Sequence, residues 1–78
     1  MSKQVGGSHY SMEIPPVEYI TRNKLDFNRG NIVKYVSRDK RKNRDEDIKK
    51  IIDYALIILE YDYNYTKEQI NELLEGMK

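Results

Sequence analysis

Apolar positions recur at helical spacing along this chain and nowhere alternate over a sustained run, so the pattern predicts helices and no strands. In "IPPVEYITRNKL", Val17 and Ile20 fall on one face, with Tyr19 beside them. Pro16 stands where a helix can begin, because proline lacks only an N–H that the first turn leaves unpaired. This short helix ends near Asn23. Asp26 is the expected N-cap of a second helix, "FNRGNIVKYVSR". Ile32, Val33 and Val36 make its apolar face, and Asn31, Lys34 and Arg38 follow at i, i+3 and i+7 on the other. Gly30, in the first turn, costs about 1 kcal/mol against alanine. It marks either a close backbone approach or a loose helix start.

The third helix is the long one. Asp45 is expected to cap it, with Glu46 and Asp47 at the positive end of the helix dipole. One stripe runs through Ile48, Ile51, Ile52, Ala55 and Leu59, and a second through Tyr54, Ile57, Ile58 and Tyr61. Between Tyr54 and Tyr61 the helix is apolar nearly all round, and a helix of that kind is buried. One small chain can hardly cover both faces, so the second stripe (Tyr54, Ile57, Ile58 and Tyr61) is expected to meet another copy. At "YTKEQI", Thr66 and Gln69 fit a capping box, with Tyr65 and Ile70 as its hydrophobic staple. Ile70, Leu73, Leu74 and Met77 then form a stripe. Either a short fourth helix folds back, or the third helix bends at Asn64. The expected fold is all-α, three to four helices assembled as a homo-oligomeric bundle, with residues 13–78 as a single domain and 1–12 as a strap or tail.

Composition sharpens this in two ways. A 78-residue chain buries only roughly 60–65% of its unfolded surface, which makes association or very good helix packing necessary. With no cysteine and one histidine, the chain offers no disulfide, no thiolate metal site and no multi-histidine zinc site. The longest apolar run, "ALIIL", is far short of a membrane span, and a soluble cytoplasmic protein is expected. Net charge is +1, from 14 basic and 13 acidic residues, so no global field favours nucleic acid. The charge is uneven, however. "SRDKRKNRD" (37–45) holds five basic residues against two acids, while 60–75 is mostly acidic.

The catalytic inventory is thin. There is no G-x-x-x-x-G-K-[ST] loop, no G-x-S-x-G elbow and no Cys–His pair. Glu46, Asp47, Asp53, Glu60 and Asp62 do not give the E-x-x-E pairs that hold magnesium in helical pyrophosphohydrolases. A phosphate-binding set remains. Lys34 and Arg38 lie one turn apart and can converge on one anion, arginine gripping two oxygens and lysine acting as a point charge. Asn31 can bond a base edge or sugar, and Lys40, Arg41 and Lys42 can extend the patch. Gly6, Gly7 and Ser8 can present backbone N–H groups, and His9 and Tyr10 can stack on a base or donate to phosphate. Asp47 either orients Lys34 or Arg38, or takes a ribose hydroxyl. The plain alternative is that Asn31, Lys34 and Arg38 form the wet face of an amphipathic helix.

"GGSHY", then "P-x-E-Y-I", then "L-D-F-x-x-G-N-I-V-K-Y-V-S-R", a basic loop and "E-D-I-K-K-I-x-x-Y" resemble a small phage-borne family of unknown function. That family also resembles a module of the coliphage nucleotide kinase, which phosphorylates deoxynucleoside monophosphates without a Walker motif. The matching positions are Gly7, His9, Tyr10, Gly30, Asn31, Lys34, Tyr35, Arg38, Glu46, Asp47 and Lys50. The resemblance implies nucleotide handling in infected bacteria, with Tyr35 joining the site and residues 4–10 acting as a strap over the ligand. The expected function is a nucleotide-binding homo-oligomer with a basic site at or near a subunit interface, sequestration of a nucleotide immune signal being one form of it. Two alternatives stand beside it. One is a nucleoside monophosphate kinase-like phosphotransferase, the only reading that calls for magnesium. The other is a protein- or DNA-binding module using the basic loop.

Overall fold

The computed structural model describes residues 12–39 and 44–78. Among them it holds four helices and no strand: α1 (Pro16–Arg22), α2 (Phe27–Val36), α3 (Asp45–Tyr63) and α4 (Lys67–Gly76). Apart from Met12, the expected strap of residues 1–12 lies outside the described residues, as do Lys40, Arg41 and Lys42.

Local signals set most boundaries. Pro16 opens α1. The helix closes in a Schellman arrangement, with the Lys24 N–H donating to the Thr21 carbonyl at 3.2 Å and the Leu25 N–H to Ile20 at 3.1 Å. Lys24 takes the left-handed conformation this requires, at φ 54°. Asp26 caps α2, accepting from the Arg29 N–H at 2.8 Å. Asn64, at φ 59°, ends α3, and the chain restarts in α4 with both bonds of the Thr66–Gln69 capping box in place. The third helix therefore does not bend into the fourth; it stops.

The start of α3 differs from the expectation. Asp45 is its first helical residue, not its cap; Arg44 holds the cap position and makes no side-chain cap bond. The difference is one residue, because three consecutive acids suit the first turn equally well and all three lie in it.

α2 and α3 pack along each other, α1 rests on α2, and α4 touches α3 sparsely. Gly30 is buried under α1: a Cβ there would stand 3.0 Å from Ile20 Cγ2, so the glycine permits close approach of the two helices. Arg29 ties the ends of the α2–α3 pair, its Nη1 lying 2.7 Å from Asp26 and 2.8 Å from Asp62. The assembly is flat, 44 × 28 × 17 Å. Among the described residues no apolar side chain is buried.

Candidate anion-binding site

The site is built where the last turn of α2 faces the first turns of α3. Asp47, Ile51, Tyr54 and Ile58 recur at i, i+4, i+7 and i+11 on the side of α3 turned to α2. Tyr54 packs there between two α2 aromatics. It meets Phe27 edge-on, centroids 6.0 Å apart, and stacks on Tyr35 at 6.2 Å with 20° between the rings. Tyr35 is thus held from behind.

Three cations surround the Tyr35 ring. Lys34 Nζ lies 5.2 Å from its centroid, the Arg38 guanidinium carbon 4.9 Å and Lys50 Nζ 5.1 Å. Each gains about 0.5–1 kcal/mol from the ring quadrupole at such exposed positions. Three positive groups about 5 Å from one point are at most about 10 Å from one another, roughly a Debye length at 0.1 M salt. Arg38 has a carboxylate partner: its Nη1 donates to Asp47 Oδ1 at 3.3 Å. Among the described ion pairs, neither Lys34 nor Lys50 has one. The cluster therefore carries an excess of positive charge beside an aromatic face. A multivalent anion attached to a flat ring would complement both.

Asp47 is the one described side chain with a charge that is buried, at 1% exposure. Its Oδ1 holds Arg38, and its Oδ2 is buried without a hydrogen-bond partner. Of the two roles read for it from sequence, orienting Arg38 is the one this contact performs. Asn31 lies on the same helix, with its amide donating to the Phe27 carbonyl at 2.9 Å. Gly7, Ser8, His9, Tyr10 and Lys42 lie outside the described residues, so the structure does not place them against the cluster. The shallow pocket lined by Val17, Glu18, Thr21 and Arg22 belongs to α1 and uses no residue of the cluster.

Among the described residues, no three His, Cys, Asp or Glu side chains gather as a metal site requires, and no helix is long and apolar enough to cross a membrane. The model of the DUF3310 family, described as proteins of unknown function, matches residues 5–56. The chain belongs to that family. The matched span takes in every member of the cluster from Lys34 to Tyr54 and leaves the end of α3 and all of α4 outside. No curated protein and no solved structure matches this DUF3310 chain.

Lys50 is the member that reading the residues alone did not bring into the site. It pairs in sequence with Glu46 at i, i+4, but in the structure Glu46 meets Arg44 at 3.5 Å and Lys50 turns to Tyr35. Lys49, spaced for Asp53, pairs with Asp45 at 3.5 Å instead. Of the stripe assigned to another copy, Tyr54 faces α2, Ile57 and Ile58 are half-buried, and Tyr61 is 72% exposed. Ile48, Ile52 and Ala55 of α3 are exposed as well.

Proposed function

We propose that this DUF3310 protein is a phage-type, cytoplasmic nucleotide-binding homo-oligomer that holds nucleotide phosphates on Lys34, Arg38 and Lys50. Tyr35 supplies a flat face for the base or sugar, and Asp47 positions Arg38. The observation that carries this reading is the convergence of three cations on one stacked tyrosine, one of them, Arg38, paired with the buried Asp47. Guanidinium and ammonium groups grip phosphate oxygens, and an aromatic face receives a base. Self-association is supported by the absence of buried apolar side chains among the described residues. The role is binding and sequestration, the reading favoured by the thin catalytic inventory of the sequence.

Titration calorimetry with nucleoside mono- and diphosphates and with cyclic dinucleotides tests this. Binding is expected in the parent and at least tenfold weaker in Lys34→Ala and in Lys50→Ala. Mass spectrometry of the released ligand should return it unchanged. Absence of binding, or full affinity in both variants, overturns the site. A chemically altered ligand would replace the proposal with the phosphotransferase reading.

A further inference from the structure

We infer that the second oxygen of Asp47 receives a hydroxyl of the ligand's sugar, so that the cluster takes nucleotides carrying that hydroxyl in preference to the same nucleotides without it. This rests on the nucleotide reading above and names what the site recognises besides phosphate.

Asp47 is 1% exposed, and its two oxygens are in different states. Oδ1 accepts from Arg38 Nη1 at 3.3 Å, while Oδ2 is buried with no donor of the chain against it. A carboxylate oxygen taken out of water and left unpaired is costly, and folded proteins hold few of them. The helix dipole does not require the burial, because Asp45 and Glu46 occupy the same first turn of α3 and are exposed. Nor do the neighbouring ammonium groups use the oxygen. Lys50, one turn further along α3, lies 5.1 Å from the Tyr35 centroid instead, and Lys34 lies over the same ring.

The surroundings of Oδ2 select the chemistry of its donor. Phosphate is repelled by a carboxylate and drawn to Lys34, Lys50 and the guanidinium nitrogens that Asp47 leaves unused. The group on Oδ2 therefore belongs to an uncharged part of the ligand. It also lies one guanidinium away from the phosphate, because Arg38 touches Asp47 and, on the proposal above, grips phosphate. A sugar hydroxyl is that close to the phosphate of its own nucleotide, whereas the base edge stands beyond the sugar. Access is through Arg38. Its bond to Asp47 is longer than the about 2.7–2.9 Å of a tight charge-assisted pair, and its side chain is 40% exposed. A phosphate draws it outward and opens Oδ2. A ligand without the hydroxyl leaves the oxygen unpaired in the complex, which is how a hydrogen-bonding site rejects a deoxy analogue.

Titration calorimetry of the common ribonucleoside 5′-monophosphates against their 2′-deoxy and 3′-deoxy counterparts tests this. The parent is expected to bind a ribonucleotide about tenfold or more tightly than one of its two deoxy forms. In Asp47→Asn, which keeps the shape of the side chain and removes the charged acceptor, that ratio should fall to about threefold or less. Loss of Arg38 positioning alone weakens all forms alike and leaves the ratio unchanged, a result that would overturn the hydroxyl contact. Equal binding of all forms by the parent, as when a water fills the donor's place, would overturn it too. That arm needs no variant to fold, and the nucleotide reading survives it. No binding of any monophosphate also overturns the inference, and if diphosphates and cyclic dinucleotides fail as well, the nucleotide reading falls with it.

Discussion

Arg38 donates to Asp47 across 3.3 Å, joining the turn that follows α2 to the one buried charged side chain described on α3. The sequence pattern sets Arg38 opposite the apolar face of α2, which implies that Arg38→Ala leaves the fold untouched. The contact implies otherwise. Removing the guanidinium leaves the Asp47 carboxylate buried with neither oxygen paired, which costs roughly 1–3 kcal/mol. Arg38→Ala is therefore expected to lower stability in urea melts by that amount, and Arg38→Ala/Asp47→Asn to recover part of it. Anion affinity should stay low in both. Equal stability of Arg38→Ala and the parent would show that the contact contributes nothing.

Gly30 and Ile20 set the distance between α1 and α2, since a Cβ on Gly30 would meet Ile20 Cγ2 at 3.0 Å. Gly30→Ala gains about 1 kcal/mol of helix propensity but crowds that methyl. The expected result is a change near zero. In an Ile20→Leu background the γ2 methyl is gone, and the same Gly30→Ala change should stabilise by about 0.5–1 kcal/mol. Identical effects in both backgrounds would mean that the two residues are not coupled.

Much of the fold is legible because its signals are local. Pro16, Asp26 and the Thr66–Gln69 box act on backbone groups within a turn, so sequence alone locates the helix starts they control. The start of α3 is blurred by three acids in a row, any of which suits the positive end of the dipole. Faces are harder. A helix apolar on nearly all sides does not say which stripe meets α2, and only the stacking of Tyr54 on Tyr35 decides it. The candidate cluster is partly legible: Lys34 and Arg38 share a face by spacing, whereas Tyr35 enters through the family pattern. Spacing alone offers Lys50 only Glu46 at i, i+4, because its orientation depends on a neighbour 15 positions away.

Asp26 gives a pH dependence whose sign is fixed. The Arg29 backbone N–H, and then the Arg29 guanidinium, hold its carboxyl below the ordinary 3.8. A depressed carboxyl stabilises above its unfolded value, and that contribution is lost as pH falls through the lower folded value. Arg29 is pushed upward by Asp62 and Asp26 and stays charged throughout, so it adds no pH dependence of its own. Asp26→Asn keeps a capping oxygen but loses the charge. The stability gap between parent and Asp26→Asn should be present at pH 7, shrink below about pH 4, and narrow in high salt. Circular dichroism melts from pH 7 to pH 2 measure it. A gap that widens on acidification would contradict the assignment.

Lys24 is one of two described non-glycine residues with a left-handed backbone, and it occupies the position where the Schellman closure of α1 requires it. A side chain with a Cβ pays about 1–2 kcal/mol there, of which glycine is spared most. The greater freedom of glycine in the unfolded chain offsets part of the gain. Lys24→Gly is therefore expected to stabilise by up to about 1 kcal/mol, raising Tm by roughly 4–8 °C at fixed protein concentration. Lys24→Val is expected to move Tm the other way, because a β-branched residue tolerates positive φ least. The opposite signs separate backbone strain from any loss of the lysine charge, which both substitutions remove alike. If both variants shift Tm in the same direction, charge or unfolded-state effects dominate at this position, and the turn between α1 and α2 is not limited by its backbone.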